Sequence, residues 1–196
     1  MKTILNEKTE ETVKKIHLLT TTLCARHCKY CCNNLYSVDE IPAVTDEELS
    51  KCEILFLTGG EPFQFCNPNE IAKYYKTRYP NIQKVIVYSN CVEFLKYLEM
   101  FKRSNLVGDY YNYDCVSDID GVSLSIKNKS DVYAFEKIRK IECIFNCHLQ
   151  HNRLYVFNNL YDKTTDRNFE IFQRKWQSLE EYRPAKDSIF RKMNKF

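Results

Sequence analysis

The chain has 196 residues, 44% hydrophobic and 28% charged, and its net charge is only +3 because 29 Lys and Arg nearly balance 26 Asp and Glu. This composition excludes a disordered chain, and the length predicts one domain, 1–196, with a core at about 16–160 and a helix and basic tail at 165–196. The small charge permits nucleic acid as a partner but does not demand it, and we do not expect one. No apolar run approaches the roughly 18 residues that cross a bilayer, and the polar start is unlike a secretion signal, so we expect a cytoplasmic protein with no membrane partner.

Short apolar runs recur at intervals of roughly 30 to 40 residues and predict strands. These runs occupy 16–20, 53–58, 84–89 and 120–126. Each interval leaves room for a crossover helix, so the sequence predicts a parallel sheet.

Helix signals fall between the predicted strands. Asn67 can cap a helix that begins at Pro68 and ends before Pro80, because proline is favoured at the first helical position. A second helix is predicted at 92–102. A third follows Ser130, which we expect to be its cap.

The pattern changes after Ile141. The apolar runs 141–146 and 153–157 are separated by only six residues, too few for a crossover helix, which predicts an antiparallel hairpin. Residues 165–181 carry apolar side chains at helical spacing and predict a last helix. We expect the basic tail that follows to be a solvated end, and a contact with RNA or a partner is the alternative. The sequence therefore predicts an α/β fold with an irregular C-terminal part.

Ten cysteines stand out in a chain for which we expect a reducing compartment, so metal binding or core packing explains them better than disulfides. The only dense group follows the first predicted strand, where Cys24, Cys28 and Cys31 form a C-x3-C-x2-C loop. Three thiolates can converge on one centre, and a cubane cluster with three cysteine ligands leaves one iron open to an outside ligand. The alternative is a zinc site, whose fourth ligand would be one of His17, His27 and Cys32.

A second motif, Gly59-Gly60-Glu61-Pro62, ends the second predicted strand. Glycine lets the backbone approach a ligand closely, and the Glu61 carboxylate can accept a hydrogen bond from an ammonium group. A tight turn between strand and helix is the alternative for this motif alone. Because the two motifs end consecutive strands, we expect them to form one site.

Together the two motifs resemble those of the radical S-adenosylmethionine (radical SAM) superfamily, with Tyr30 as the aromatic residue before the last cysteine of the loop. The resemblance covers about 16–126 and implies a single radical SAM domain, a partial (βα) barrel of about six strands. It implies that Cys24, Cys28 and Cys31 ligate a [4Fe-4S] cluster beside which S-adenosylmethionine binds. Tyr30 would lie against the adenine, and the methionine amino group would be held by Gly59, Gly60, Glu61 and Pro62.

Weaker features agree with this resemblance. Ser89-Asn90 ends the third predicted strand, where members of the superfamily often have a short polar motif. Ser123 and Ser125 alternate along the fourth and share a face, so their hydroxyls could bind ribose or carboxylate oxygens; ordinary strand serines are the alternative. Lys127 could pair with the cofactor carboxylate, and a solvated lysine is the alternative.

The resemblance also implies the activity. An oxidoreductase or activase of this kind cleaves S-adenosylmethionine reductively to a 5′-deoxyadenosyl radical, which abstracts hydrogen from a substrate. An electron donor such as flavodoxin or ferredoxin would then be a partner. The alternative from another class is a non-catalytic zinc or iron-sulfur binding module.

Two stretches of the sequence, 30–34 and 59–64, look like the corresponding stretches of glycyl-radical-enzyme activases and suggest the class of substrate. The chain departs from that group where Cys32 replaces the usual histidine and where Ser125-Ile126-Lys127 replaces Asp-x-Lys. We expect a protein or peptide substrate, because the chain is too short to enclose a small one. A synthase that acts on a small metabolite is the alternative.

The second half offers one further candidate metal site. Cys143, Cys147, His148 and His151 have a ligand-like spacing, but Cys143 falls in a predicted apolar strand, where a buried thiol is the simpler interpretation. We expect the cysteines outside the first loop to be mostly buried.

Overall fold

The structure is a computed structural model that describes residues 14–26, 28, 31, 34, 37–105, 108–111, 113–175 and 187–194. The strands within these residues are β1 Lys15–Thr21, β2 Ile54–Gly59, β3 Lys84–Asn90, β4 Lys102–Asn105, β5 Gly108–Tyr111, β6 Gly121–Ile126, β7 Arg153–Phe157, β8 Glu170–Arg174 and β9 Ser188–Lys192. The α-helices are α1 Asp46–Lys51, α2 Pro62–Phe65, α3 Pro68–Arg78, α4 Cys91–Met100, α5 Lys129–Ile138 and α6 Glu142–Cys147. None of the helices in the described residues is long and apolar enough to cross a membrane.

Seven strands form one sheet in the order β8-β7-β6-β3-β2-β1-β9, and every pair in it is parallel. The strands β4 and β5 form a separate antiparallel pair. The predicted α/β class and parallel sheet are confirmed. The sheet has seven strands where about six were predicted, and it does not close into a barrel because β8 and β9 remain its two edges.

The described helices pack on one face of this sheet. A single core cluster joins their buried apolar side chains to alternate strand residues such as Leu18, Leu57, Val87 and Leu124. Successive side chains of a strand point to opposite faces, so the residues between these belong to the other face. We call it the helix-free face, because no described helix contributes to it.

The predicted helix at Pro68 is confirmed, and the Asn67 side chain accepts a hydrogen bond from the Glu70 amide. The cap predicted at Ser130 is wrong. Asn128 caps α5 instead, with its side-chain oxygen 3.0 Å from the amide nitrogen of Asp131. Asparagine is as good a cap as serine.

The predicted antiparallel hairpin is also wrong. Residues 142–147 form α6, and β7 runs parallel to β6. The apolar residues Ile141, Ile144, Phe145 and Leu149 are spaced by three and four positions and are all buried, which is a helical pattern. The connection from β6 to β7 is thus another helical crossover, built from α5 and α6.

The helix predicted at 165–181 is wrong where the structure describes it, because 170–174 form β8 beside β7; residues 176–186 lie outside the described part. The tail is not a solvated end either. Ser188–Lys192 pairs with β1 as β9, and Ile189 is buried in the core. Pairing with a neighbouring strand outweighs the polar pattern of these edge segments.

Candidate functional site

The site residues predicted from the sequence lie at the carboxyl ends of neighbouring parallel strands. The cysteine loop follows β1, the Gly59-Gly60-Glu61-Pro62 turn follows β2, and Ser89-Asn90 closes β3. Lys127 follows β6, which is the next strand in the sheet. Loops at the carboxyl ends of parallel strands are the usual place for ligand sites in α/β folds.

The two glycines of the turn are needed for contact with the chain that leads into the cysteine loop. Gly59 has a φ of +133°, and a Cβ there would lie 2.1 Å from the carbonyl oxygen of Thr21. A Cβ on Gly60 would lie 1.8 Å from the carbonyl oxygen of Leu23. The Gly60 amide donates to Thr21 (2.7 Å) and the Glu61 amide to Leu23 (2.8 Å), so the turn supports the backbone just before Cys24.

Glu61 links this turn to the end of β3. Its side chain is buried and accepts hydrogen bonds from the Ser89 hydroxyl (2.6 Å), from the Asn90 amide (3.1 Å) and from the Asn90 side chain. Burial raises the pKa of Glu61 to about 7, against the opposing effect of these hydrogen bonds. Three of the predicted site residues therefore meet directly, and the carboxylate is directed into the protein.

The raised pKa gives a testable pH dependence. A carboxyl group with a pKa of about 7 in the folded protein and 4.5 in the unfolded chain contributes stability that is fully present below pH 4.5 and lost as the pH rises to 7. The shift corresponds to about 3 kcal/mol. Glu61→Gln removes the titrating carboxyl group, so its free energy of unfolding should lack this pH-dependent contribution. Urea unfolding at several pH values between 5 and 8 should therefore show that the difference in stability between the two proteins changes with pH. A constant difference would contradict the assignment.

The three cysteines of the loop are partly exposed, and no disulfide joins any of the nine described cysteines. Burial raises the pKa of the Cys24 thiol, and the charges of Glu61, Cys28 and Cys31 raise it further, so these groups lie within electrostatic range. The Cys31 amide donates a hydrogen bond to the Cys28 carbonyl at 3.1 Å. Tyr30, together with His27 and Cys32, lies outside the described residues.

The three cysteine thiols of this loop fit an iron-sulfur cluster in their number, in their chemical type and in their place at the end of a strand. Among the described residues, however, no three His, Cys, Asp or Glu side chains are arranged closely enough to hold a metal ion. The loop therefore brings three soft ligands to one edge without gathering their sulfur atoms.

An ion pair that the sequence analysis did not identify holds the cysteine loop to α5. The Arg26 guanidinium donates two hydrogen bonds, of 2.8 and 2.7 Å, to the carboxylate of Asp131, which is fully buried. The same carboxylate accepts from the Lys127 amide at 2.9 Å. Arg26 stands between the first two cysteines, so this pair fixes the loop against the end of β6.

The helix-free face carries an aromatic group on its central strands. His17, Phe56 and Tyr88 form this β1–β3 aromatic group, in which the His17 and Phe56 rings stack with centroids 4.5 Å apart. Burial lowers the pKa of His17 to about 4, so its imidazole is neutral at pH 7.

The two strand serines lie on the same face, since Ser123 pairs with Tyr88 and Ser125 with Asn90. Ser125 donates a long hydrogen bond of 3.4 Å to the Ser89 carbonyl. The buried Ser123 hydroxyl has no hydrogen-bond partner in the part of the chain that the structure describes.

The remaining described cysteines differ in burial, and Cys66 is partly exposed. Cys52, Cys91 and Cys115 are buried, as predicted. The prediction for Cys143 is wrong, because it and Cys147 are exposed on α6, where only the residues at other helical positions pack inward. With His148 and His151 they make no metal-binding arrangement within the described residues.

No protein-family model matches this chain, and neither the curated proteins nor the solved structures compared with it gave a match.

Proposed function

We propose that this chain is a radical SAM enzyme whose cluster would be held by Cys24, Cys28 and Cys31. The observation that carries the proposal is the contact between the two motifs. The Gly59–Gly60 turn is hydrogen-bonded to the backbone that leads into the cysteine loop, at the edge of a parallel sheet. A chance C-x3-C-x2-C spacing would not require a glycine turn at the end of the neighbouring strand.

The bound cluster and S-adenosylmethionine would supply the radical chemistry, while the protein positions the reacting groups and excludes water. Arg26 and Asp131 hold the cysteine loop in place from one side, and the glycine turn holds it from the other. The carboxylate of Glu61 keeps β2 and β3 together beneath the site. The helix-free face, with its buried rings, would receive the substrate.

A protein or peptide is the substrate class that we propose, with a flavodoxin or ferredoxin as electron donor. The open sheet supports this choice, because a sheet that does not close into a barrel leaves its helix-free face accessible from the side. A closed barrel would favour a small metabolite, which would have to be enclosed.

The test is anaerobic reconstitution followed by assay of cofactor cleavage. The loaded protein should contain about four iron atoms per chain. It should release 5′-deoxyadenosine when reductant and S-adenosylmethionine are added. We expect Cys28→Ala to abolish this release and Cys147→Ala, which removes an exposed thiol on α6, to preserve it.

Two results would contradict the proposal. One is a fully loaded cluster that never yields 5′-deoxyadenosine. The other is a colourless protein that retains one zinc ion per chain through reconstitution, which would favour the zinc-binding module.

A further inference from the structure

A second aromatic group lies on the helix-free face, towards the β8 edge. Tyr155, Phe157 and Phe172 form this β7–β8 aromatic group. The strand register places Tyr155 beside Phe172, and their rings stack with centroids 5.2 Å apart. All three side chains are only half-buried, so their ring faces can be reached by a ligand.

Two cations lie over these rings. The Arg174 guanidinium carbon is 5.5 Å from the ring centre of Tyr155 and 5.9 Å from that of Phe172. The Lys127 ammonium is 5.8 Å from the ring centre of Phe157. Ring faces attract cations without neutralising their charge.

Neither cation has a carboxylate partner among the described residues. Arg174 is exposed and Lys127 is half-buried. Several other basic side chains are paired with carboxylates: Lys76 with Asp120, Arg139 with Asp166, and Arg191 with Glu48. A cation that is oriented but unpaired is available to an anionic ligand.

The strand register places the two cations at the same level along their strands. Ile126 pairs with Val156, so Lys127 follows level with Phe157, which itself pairs with Arg174. The two backbones are therefore two strand spacings apart, or about 10 Å. Side chains of this length can close on one carboxylate or phosphate from both sides.

The floor between the two aromatic groups is made of small side chains. Ser123 and Ser125 occupy β6 between the ring-bearing strands, and Ser123 is 2% exposed. Its hydroxyl has no hydrogen-bond partner within the described residues, which is a costly state for a buried polar group. A ligand lying over β6 would supply the missing partner.

We infer that this face binds a substrate that carries a carboxylate or phosphate, with Arg174 and Lys127 on the anion and the rest of the molecule lying over Ser123. The inference rests on the proposed function, which makes this face the substrate side. It assigns Lys127 to the substrate and not to the cofactor carboxylate. The reason is its companion: Lys127 is level with Arg174, whose strand β8 lies five strands from β1 in the sheet, about 24 Å along it, whereas the cysteine loop follows β1.

Calorimetric titration of the reconstituted full chain with small probes tests the inference. Benzoate and phenyl phosphate are the charged probes, and benzyl alcohol is their uncharged counterpart. We expect at least one charged probe to bind about tenfold or more tighter than benzyl alcohol. Arg174→Gln and Lys127→Gln should each weaken that probe by about tenfold.

Matched controls remove a cation that lies over a ring elsewhere. The Arg78 guanidinium carbon is 5.6 Å from the ring centre of Tyr79, and the Lys137 ammonium is 4.7 Å from that of Tyr133. Arg78→Gln and Lys137→Gln should leave probe binding unchanged. Equal binding of charged and uncharged probes, or an equal loss in the controls, overturns the inference.

Affinity for S-adenosylmethionine separates substrate from cofactor. If Arg174→Gln weakens the binding of S-adenosylmethionine as much as the binding of the charged probe, the anion is the cofactor's own carboxylate. That result overturns the inference. If no preparation forms 5′-deoxyadenosine while the probe results stand, the proposed reaction fails and the anion site is supported on its own.

Discussion

Asp131→Ala is expected to lower the free energy of unfolding by about 3 kcal/mol. The substitution leaves the largely buried guanidinium of Arg26 without its carboxylate, and it removes the acceptor for the Lys127 amide. An unpaired charge of this kind costs more than the pair itself contributes. We also expect less iron per folded chain after reconstitution, because Arg26 lies inside the cysteine loop.

The control for this prediction is an ion pair of the same chemistry on the surface. Arg167 and Glu142 are 3.5 Å apart with side chains 68% and 61% exposed, so Glu142→Gln should change stability by less than about 0.5 kcal/mol. The double substitution Arg26→Met with Asp131→Leu should recover most of the lost stability, because it removes both charges. Urea unfolding that does not distinguish Asp131→Ala from Glu142→Gln would contradict the anchoring role.

Gly60→Ala is expected to cost about 3 kcal/mol and to disturb the cysteine loop. The added methyl group would lie 1.8 Å from the carbonyl oxygen of Leu23, which is backbone and cannot rotate away. The chain that leads into Cys24 must therefore move. Iron per folded chain, measured after anaerobic reconstitution, should fall together with stability.

Gly121→Ala separates these two effects. A Cβ on Gly121 would lie 2.0 Å from the carbonyl oxygen of His151, which is an equally tight contact. Gly121 begins β6, so this contact lies at the amino ends of the strands, away from the cysteine loop. We expect it to lower stability by a similar amount and to leave iron content per folded chain unchanged. If both variants lost iron equally, the glycine turn would have no specific role in holding the loop.

The central strands were predictable because consecutive residues in them are buried on both faces and are mostly apolar. β1, β2, β3 and β6 match the predicted runs within two residues at each end. The edge strands were not predictable in the same way. Glu170–Arg174 and Ser188–Lys192 are short and rich in charge, and they become strands because an open sheet edge is available to pair with them.

The candidate site was predictable in its residues and less so in their contacts. The sequence placed the glycine turn beside the cysteine loop, and the structure shows that a backbone carbonyl fills the space at each glycine. The pair of Arg26 and Asp131 spans 105 positions, so no local pattern could have indicated it. The unpaired cation Arg174 was missed because its segment was predicted to be helical.

The position of β9 has a consequence for the order of events during synthesis. β1, which carries the cysteine loop, is flanked by β2 and by β9, so Leu18 pairs with Leu57 on one side and with Arg191 on the other. A contact between segments this far apart in sequence forms late, because a long loop must close first. Until then one side of β1 lacks its backbone hydrogen-bond partner. In a nascent chain the cluster would therefore be inserted beside a β1 strand that is paired on one side only. Cluster loading should be efficient only after residues 188–192 have emerged from the ribosome.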